Sequence, residues 1–500
     1  MRIVRLFCTS LLLVIALTQR ASAFALIGPD IPGMATNAMG SAMNIGQGYR
    51  WNVPVVTYAY DQSFLDFFGT NGAAAVDSAI QILNALPPAS TLDPNAYPTN
   101  AINFPPPPPI IINGSTNTNT FVSVLDLRSA ALSLVLREMG LASPIPFLFE
   151  LQPSVSGGMT NYNVIMRNFD PITDAPSSNI NGEAFHYQLV TNQTTGQVGF
   201  IGVGFAASSI SAAGFADFLD AGTFLNQISY DDAGGLAYLL STNNVALENL
   251  IPGVSGAGTN AGNYVTTAPR PGVDKVTFQR VSFDSILGQI FPPLTNQYVD
   301  SYVSNGVLYH QNLQRVITQP DIVFSSAGLN NNINFTNSST VGWANNALPG
   351  QPGPGVIQPP INITFNRLGL RVVDSYTFTS NHVVSYIPPW GSFDVSTNNG
   401  SLSLSDFIIY PGSSAPSTMF NLLFYASPGY FIPFASFNGP YNQVSWNLPG
   451  PAGTTYLLQS SSDLLNWTNI VAITNNGSSI SCMEQVSNAP QSFFRTIPQP

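Results

Sequence analysis

The sequence predicts an α+β fold, in which helices and strands mix in the first half of the chain and strands dominate the rest. The stretch 126–143, DLRSAALSLVLREMGLAS, begins with a capping Asp, is apolar through its middle, and reaches Gly140 where a helix would end in a left-handed residue. The run 51–60, WNVPVVTYAY, has strand composition. Beyond Asn244, short apolar runs alternate with Asn, Thr, Pro and Gly, which favours β structure.

Residues 1–23 have the pattern of a secretory signal peptide. Arg2 and Arg5 precede the apolar run 6–17, and Ala21-Ser22-Ala23 forms a cleavage site of small residues. We therefore expect a mature chain that begins at Phe24 and is secreted or held at the cell surface. No later apolar run reaches the roughly 18 residues of a transmembrane helix, so we expect no transmembrane segment.

The charge balance limits the classes of partner. Charged residues make up only 8% of the chain, and 25 acidic against 14 basic residues give a formal net charge of −11. An acidic surface repels phosphate groups, so nucleic acid and anionic membrane are poor partners. The expected partner is a protein or a polysaccharide.

After the signal peptide, the pattern along the chain divides its first half into two parts. Residues 24–48 show no period and are predicted to form an N-terminal arm. Residues 49–242 are predicted to form one mixed α/β domain, with a strand at 51–60 and helices at 72–86, 126–140 and 229–240. Asp231 or Asp232 is the expected cap of the last helix.

The second half is predicted to be rich in strands. Residues 243–344 form a mixed or β-rich region, in which 286–291 and 303–316 could contribute short helices. Residues 345–360, NNALPGQPGPGVIQPP, have the composition of a linker, and 361–436 are again β-rich. Residues 437–500 alternate apolar runs with turns, which predicts a small C-terminal β-sandwich.

The 126–143 stretch resembles the active-site helix of the metzincin metalloproteases, whose motif is H-E-x-x-H-x-x-G-x-x-H. The strand and helix at 51–86 and the helix at 229–240 are similar to the opening and the closing elements of the matrixin branch of that family. The resemblance implies a metzincin-like fold for 49–242. With Gly140 on the motif glycine, it puts the three zinc-ligand positions at Ser133, Arg137 and Ser143, and the general-base position at Leu134.

None of these four residues suits the chemistry of the family. A catalytic zinc needs three neutral nitrogen or anionic ligands and a carboxylate that takes the water proton. Hydroxyl groups are poor zinc ligands, and Arg137 carries a permanent positive charge where a dication would sit. We therefore predict no catalytic residue, no metal and no cofactor at this helix. Leu134 and Arg137 further predict that the former cleft is filled.

No other catalytic motif replaces the missing one. The three histidines, His186, His310 and His382, are far apart in sequence and lack the spacing of a metal site. The chain has no G-x-S-x-G elbow, no P-loop and no G-x-G-x-x-G motif. A pair of catalytic carboxylates of the glycosidase type stays an open alternative, because the members of such pairs come from segments that are distant in sequence.

Three functional hypotheses follow. In the first, the chain is a secreted, non-catalytic relative of the metzincins that acts as a binding or structural surface component. In the second, it is a secreted hydrolase acting on protein or glycan through another site. In the third, it is an adhesion or matrix protein. The runs at 456–461, 466–468 and 493–495 resemble a C-terminal module common in secreted proteins of Verrucomicrobia and Planctomycetes, which fits an exported bacterial protein.

Overall fold

The chain has a mixed α+β fold, as the sequence predicts. The computed structural model describes residues 23–28, 36–37, 40–103, 125–145, 150–156, 159–191, 198–203, 210–218, 223–329, 338–345, 354–365, 371–374, 382–386, 390–393, 407–409, 422–425, 435–436, 443–448, 455–461, 468–474, 480–485 and 493–498. The predicted signal peptide, up to residue 22, lies outside these residues. Among the described helices, none combines the length and the apolar character that crossing a bilayer requires.

A mixed sheet forms the centre of the molecule. Strand β5 (Val55–Tyr60) lies between β20 (Thr277–Arg280) and β25 (Ile322–Ser325) and runs parallel to both. Strand β27 (Gly355–Thr364) continues the sheet parallel to β25, and β26 (Ser338–Asn345) pairs with it antiparallel. All four residues of β25 are buried, as expected for a parallel strand covered on both faces. The short strand β4 (Tyr49–Arg50) pairs with β27.

Three helices belong to the same hydrophobic core as this sheet. Helix α1 (Gln62–Asn84) follows β5 directly; Asp61 caps it by accepting a hydrogen bond from Phe64 N, and its backbone departs from helical geometry at Gly69. Helix α2 (Leu127–Glu138) is the predicted central helix and contacts α1. Helix α3 is Tyr230–Leu240. Helices α2 and α3 lie at their predicted positions because their caps and apolar periods are local signals. Helix α1 begins at Gln62 rather than at the predicted residue 72, since Gly69 interrupts the helical pattern of the sequence before that point.

The sheet does not follow the predicted domain boundaries. Strands β20 and β25 come from the region 243–344, and β27 includes residues 355–360 of the predicted linker, yet all of them join the sheet of β5. Parallel strands are joined by long crossovers, so their pairing leaves no local sequence signal. Strands from both sides of the predicted boundaries at 242, 344 and 360 therefore share one sheet. Residues 346–353 of the predicted linker lie outside the described residues.

The prediction of an N-terminal arm without regular structure at 24–48 is also wrong. Residues 24–28 form strand β1 (Phe24–Gly28), every residue of which is buried. It pairs with β3 (Gly40–Met43), with β8 (Leu141–Ala142) directly after helix α2, and with β11 (Asn168–Phe169). Strand β2 (Thr36–Asn37) pairs with β3. The five-residue run FALIG is short and apolar on both faces, so it shows no alternation that would identify a strand.

The segments 286–291 and 303–316, which could have been helical, belong to hairpins instead. Strand β21 (Phe283–Asp284) pairs with β22 (Gln289–Ile290), and β23 (Leu294–Ser304) pairs with β24 (Val307–Ile317) over eleven residue pairs. Two residues, Asn305 and Gly306, join the long strands. Asn-Gly between apolar runs is a strong signal for a two-residue hairpin. This signal, rather than the apolar pattern that suggested a helix at 303–316, predicts the observed structure.

The strands predicted near the C-terminus are present. They form two three-stranded sheets. The first consists of β33 (Ala435–Ser436), β34 (Gln443–Leu448) and β37 (Ile480–Gln485), and the second of β36 (Thr468–Thr474), β35 (Thr455–Ser461) and β38 (Phe493–Pro498). Whether they make a sandwich stays a prediction. The remaining strands are β6 Ile102–Asn103, β7 Leu125–Asp126, β9 Glu150–Ser156, β10 Met159–Ile165, β12 Asn179–Ile180, β13 Glu183–Ala184, β14 His186–Thr191, β15 Val198–Val203, β16 Phe224–Leu225, β17 Ala246–Asn249, β18 Val254–Gly256, β19 Thr267–Arg270, β28 Arg371–Asp374, β29 His382–Tyr386, β30 Trp390–Phe393, β31 Phe407–Ile409 and β32 Leu422–Tyr425.

Candidate functional site

Helix α2 is built by the local signals that predicted it. The Asp126 carboxylate caps the helix by accepting a hydrogen bond from Ser129 N at 2.9 Å, and it also accepts one from the Ser129 hydroxyl. At the other end, Gly140 has φ +103°, and its N–H donates to Arg137 O at 2.8 Å. A left-handed glycine closes the helix in the usual way. The helix therefore has fixed ends.

Strand β4 and the residue after it hold the C-terminal end of α2. A Cβ atom on Gly140 would lie 1.9 Å from the carbonyl oxygen of Tyr49, so only glycine fits at this approach. Trp51 Nε1 donates a hydrogen bond to Glu138 O at 2.8 Å, which satisfies one of the carbonyl groups left over at a helix end. Gly140 thus has a packing role as well as a conformational one.

The four motif positions all lie in the interior. Two of them bind one main-chain oxygen: the Ser133 hydroxyl donates to Ala213 O at 3.1 Å, and Arg137 Nε donates to the same oxygen at 2.7 Å. The Ser133 hydroxyl also accepts a hydrogen bond from Ala216 N at 2.9 Å. The relative exposures are 0% for Ser133, 1% for Leu134, 3% for Arg137 and 0% for Ser143.

The segment 211–216, Ser-Ala-Ala-Gly-Phe-Ala, therefore lies on the face of α2 that carries Ser133 and Arg137. We call it the covering segment. Its residues are all buried. A Cβ atom on its glycine, Gly214, would lie 2.8 Å from Ser143 Oγ, so the small residues allow a close approach. The Ser143 hydroxyl is buried and has no hydrogen-bond partner among the described residues.

Helix α3 holds the covering segment from the other side. The Asp232 carboxylate accepts hydrogen bonds from Ala212 N at 2.7 Å and from Ala213 N at 2.9 Å. The same carboxylate accepts one from Ser229 N at 2.8 Å, while Ser229 caps the helix as the first residue of a capping box. Ala213 is thus bound through its N–H by α3 and through its carbonyl by α2.

The predicted cap of α3 needs a correction. The cap is Ser229, and Asp232 is the third helical residue, which completes the capping box. Asp231 accepts a hydrogen bond from Asn181 N at 2.7 Å. The two aspartates are the more conspicuous cap candidates, although Ser-x-x-Asp ahead of an apolar run is a recognised form of the box. The sequence could have identified it.

The electrostatics of this site are those of a sealed interior. Burial raises the pKa of Asp232, against hydrogen bonds from the Ser229 hydroxyl and from main-chain N–H groups that favour the charged form. The crevice beside it is lined by Phe24, Ala25, Leu141, Ala142, Pro144, Ser211, Asp231 and Asp232, and it has no space for a water molecule. The crevice is therefore tightly packed.

The residue types present do not fit a zinc ion. Two hydroxyl groups and a guanidinium offer no good ligand, and Leu134 cannot act as a base. Across the part of the chain that the structure describes, no group of three or more His, Cys, Asp or Glu side chains is placed to hold a metal.

The histidines lie on separate sheets. His186 is on β14 and His310 is on β24, where its Nδ1 lies 2.9 Å from Ser301 Oγ. His382 is on β29, in a third sheet. Both His186 and His310 are exposed. The topology therefore does not assemble them into one site.

Sequence reasoning missed the covering segment. The segment binds α2 and α3 through its main-chain N–H and C=O groups. Nearly every residue type carries these groups, so the sequence does not mark such contacts. The signal that could have found it is the pairing of small residues at 212–214 with Ser133 and Ser143, which suggests a close approach of backbone to helix.

Comparison with known proteins adds no relative. No protein-family model matches the chain, no curated protein matches it, and no solved structure matches it.

Proposed function

We propose that this chain is an exported, non-catalytic relative of the metzincins that acts as a binding or structural component outside the cell. One observation carries the proposal: the carbonyl oxygen of Ala213 accepts hydrogen bonds from both Ser133 and Arg137, at two of the three positions where the family resemblance puts zinc ligands. A main-chain oxygen now takes the place on this helix face that a metal would need. In this proposal, α2 organises the core.

The chemistry of the face supports this reading. Arg137 is buried, and the carbonyl oxygen of Ala213 partly compensates its positive charge by accepting a hydrogen bond from Nε. A dication that entered this face would have to displace that carbonyl group. Leu134, at the general-base position, packs in the main hydrophobic core. Removal of the covering segment would leave buried polar groups without partners, so opening the site would be costly.

The surface composition supports a binding role without strong electrostatic steering. Charged residues make up 8% of the chain, so the exterior has to be covered largely by neutral polar side chains. Such a surface suits a neutral polysaccharide or an uncharged protein face better than a highly charged partner.

The metal content of the purified chain tests the proposal. We expect less than one zinc ion per ten chains by mass spectrometry of the metal after dialysis, and no cleavage of casein. Ser133→Ala and Ser143→Ala should leave that baseline unchanged. One tightly held zinc ion per chain that is lost in either variant would overturn the proposal. N-terminal sequencing of the protein recovered outside the cell tests the proposed export, and Phe24 is the expected first residue.

A further inference from the structure

The hairpin of β23 and β24 ends in the dipeptide Asn305-Gly306, whose chemistry the proposed function does not use. The two residues form the whole loop, and their φ values of +49° and +76° have the positive sign that a type I′ turn requires. The last pair of the ladder is Ser304 with Val307, so the Gly306 N–H lies outside the ladder. Every residue from 304 to 310 is exposed. The turn therefore presents a side-chain amide and a neighbouring glycine N–H to water.

An asparagine followed by glycine is chemically labile. The main-chain nitrogen of the second residue attacks the side-chain carbonyl carbon of the asparagine and closes a succinimide ring. Glycine favours this step because it has no Cβ atom to obstruct the approach and because its backbone is flexible. Asparagine is counted among the thermolabile residues of proteins. The rate then depends on whether the fold lets the ring form.

Two other Asn-Gly pairs in the described part of the chain provide an internal comparison. Asn181-Gly182 is the two-residue loop between β12 and β13, with φ values of +46° and +87°. Its backbone therefore has the same type of turn as the loop at 305. Asn71-Gly72 lies inside helix α1, and Gly72 is buried. Ring closure at that pair requires the helix to unfold locally.

The two turns differ in what holds the asparagine. Asn181 is only 4% exposed, its N–H donates to the Asp231 carboxylate at 2.7 Å, and its side-chain oxygen accepts a hydrogen bond from Asp231 N at 3.3 Å. No hydrogen bond within the described part of the chain holds the exposed side chain of Asn305. The amide that would be attacked is therefore anchored at 181 and unanchored at 305.

We propose that Asn305 is a site of spontaneous deamidation, and that the fold confines the reaction to this one of the three described Asn-Gly pairs. The Gly306 nitrogen forms a bond to Asn305 Cγ, and the Cγ–Nδ2 bond breaks. Ammonia leaves with the proton that the Gly306 nitrogen gives up. Water then adds to either carbonyl group of the ring and opens it to aspartate or isoaspartate. Water is the one co-reactant, and no atom is oxidised or reduced.

The two products change the hairpin in different ways. Asp-Gly suits a type I′ turn as Asn-Gly does, so the aspartate product keeps the loop. Isoaspartate routes the main chain through the side-chain methylene and lengthens it, so the register next to the loop is lost. Either product adds a negative charge to the tip 301–310, which carries no charged side chain. Deamidation therefore changes both the charge and the shape of the tip as the protein ages.

Incubation of the folded chain in water labelled with a heavy oxygen isotope tests the proposal. Peptide mapping by tandem mass spectrometry after incubation in mildly alkaline buffer should locate a solvent oxygen and the loss of the amide at residue 305. The rate at Asn305 should be at least about tenfold higher than at Asn181, because ring closure at Asn181 first breaks buried hydrogen bonds. The Asn305→Asp variant supplies the reference for the aspartate product, which has the same mass as isoaspartate but a different retention time.

The same chain unfolded in guanidinium chloride is the matched control. Both asparagines then precede a glycine without the fold around them, and their rates should agree within about threefold. A folded chain in which Asn305 reacts as slowly as Asn181 would overturn the proposal, because the turn itself would then protect the amide. A ratio of rates that stays the same after unfolding would also overturn it, because the local sequence would then set the rates. The reaction requires no metal and no family relationship, so its absence would leave the proposed function untouched.

Discussion

Arg137 Nε lies 2.7 Å from the carbonyl oxygen of Ala213, and this contact joins the central helix to a segment 76 residues further along the chain. Ser133, one turn earlier on α2, binds the same oxygen from a second direction. Helix α3 binds the N–H of Ala213 through Asp232. Ala213 is therefore held through both of its main-chain polar groups, and the two helices are connected through it.

Ser133→Ala should destabilise the fold. The substitution leaves the buried Ala216 N–H without its acceptor and removes one of the donors to Ala213 O, and an unsatisfied buried polar group costs about 1–3 kcal/mol. Urea unfolding followed by circular dichroism measures the loss in the free energy of unfolding.

Ser143→Ala is the matched control for that substitution. The Ser143 hydroxyl is equally buried but has no hydrogen-bond partner among the described residues, so its removal should change stability by no more than about 0.5 kcal/mol or raise it slightly. Equal losses in the two variants would contradict the described hydrogen bonds.

Asp232→Ala should destabilise more than Ser133→Ala. Its carboxylate accepts from Ala212 N, Ala213 N and Ser229 N, and three buried donors lose their partner together. We expect a loss of about 3 kcal/mol in the free energy of unfolding. Asp66→Ala, on the exposed face of α1, is the control and should stay within about 0.5 kcal/mol. A similar small effect at Asp232 would show that the covering segment is held by other contacts.

The sequence identified those parts of the fold that depend on neighbours along the chain. The start of α2 at Asp126 and its end at Gly140 follow from capping rules that involve three or four residues. For α1 the same rules identified only the end, before Pro87, whereas its start after Asp61 lies ahead of the predicted start at residue 72. The residue types at the four motif positions lead, without any structure, to the prediction that this helix holds no zinc.

The sequence did not identify what depends on distant segments. Strand β5 pairs with β20 and β25, more than 200 residues away, and nothing in the composition of either strand specifies its partner. The covering segment binds through main-chain atoms, whose chemistry does not vary with sequence. The sequence predicted a loop where strand β1 lies, because five apolar and small residues in a row show no periodic pattern.

Glu248→Gln tests whether residues beyond 242 belong to the same core as β4. Arg50 Nε lies 2.7 Å from Glu248 Oε1, and both side chains are almost fully buried, at 2% and 0% exposure. Neutralising one member of a buried pair leaves the other charge uncompensated, so we expect a loss of about 3 kcal/mol in a single cooperative transition. Arg280→Gln, in the pair with Asp77, is the control. Arg280 is about half exposed, and the loss there should be no more than about 1 kcal/mol. Two separate transitions in Glu248→Gln would indicate that the predicted boundary at 242 divides independent domains.

Gly140→Ala separates conformational strain from steric fit at the end of α2. Both Gly140 and Gly46 have positive φ, +103° and +77°, so an alanine at either position meets a backbone cost of roughly 1–2 kcal/mol. Only at Gly140 would the new Cβ also overlap another atom, the carbonyl oxygen of Tyr49 at 1.9 Å, whereas nothing lies within 4 Å of a Cβ on Gly46. Since this oxygen belongs to strand β4, relief of the overlap must move the strand or the helix. We therefore expect Gly140→Ala to cost at least about 2 kcal/mol more than Gly46→Ala in urea unfolding. Equal costs in the two variants would mean that helix and strand approach each other less closely than the structure has them, and the argument for glycine at the motif position would then rest on its backbone conformation alone.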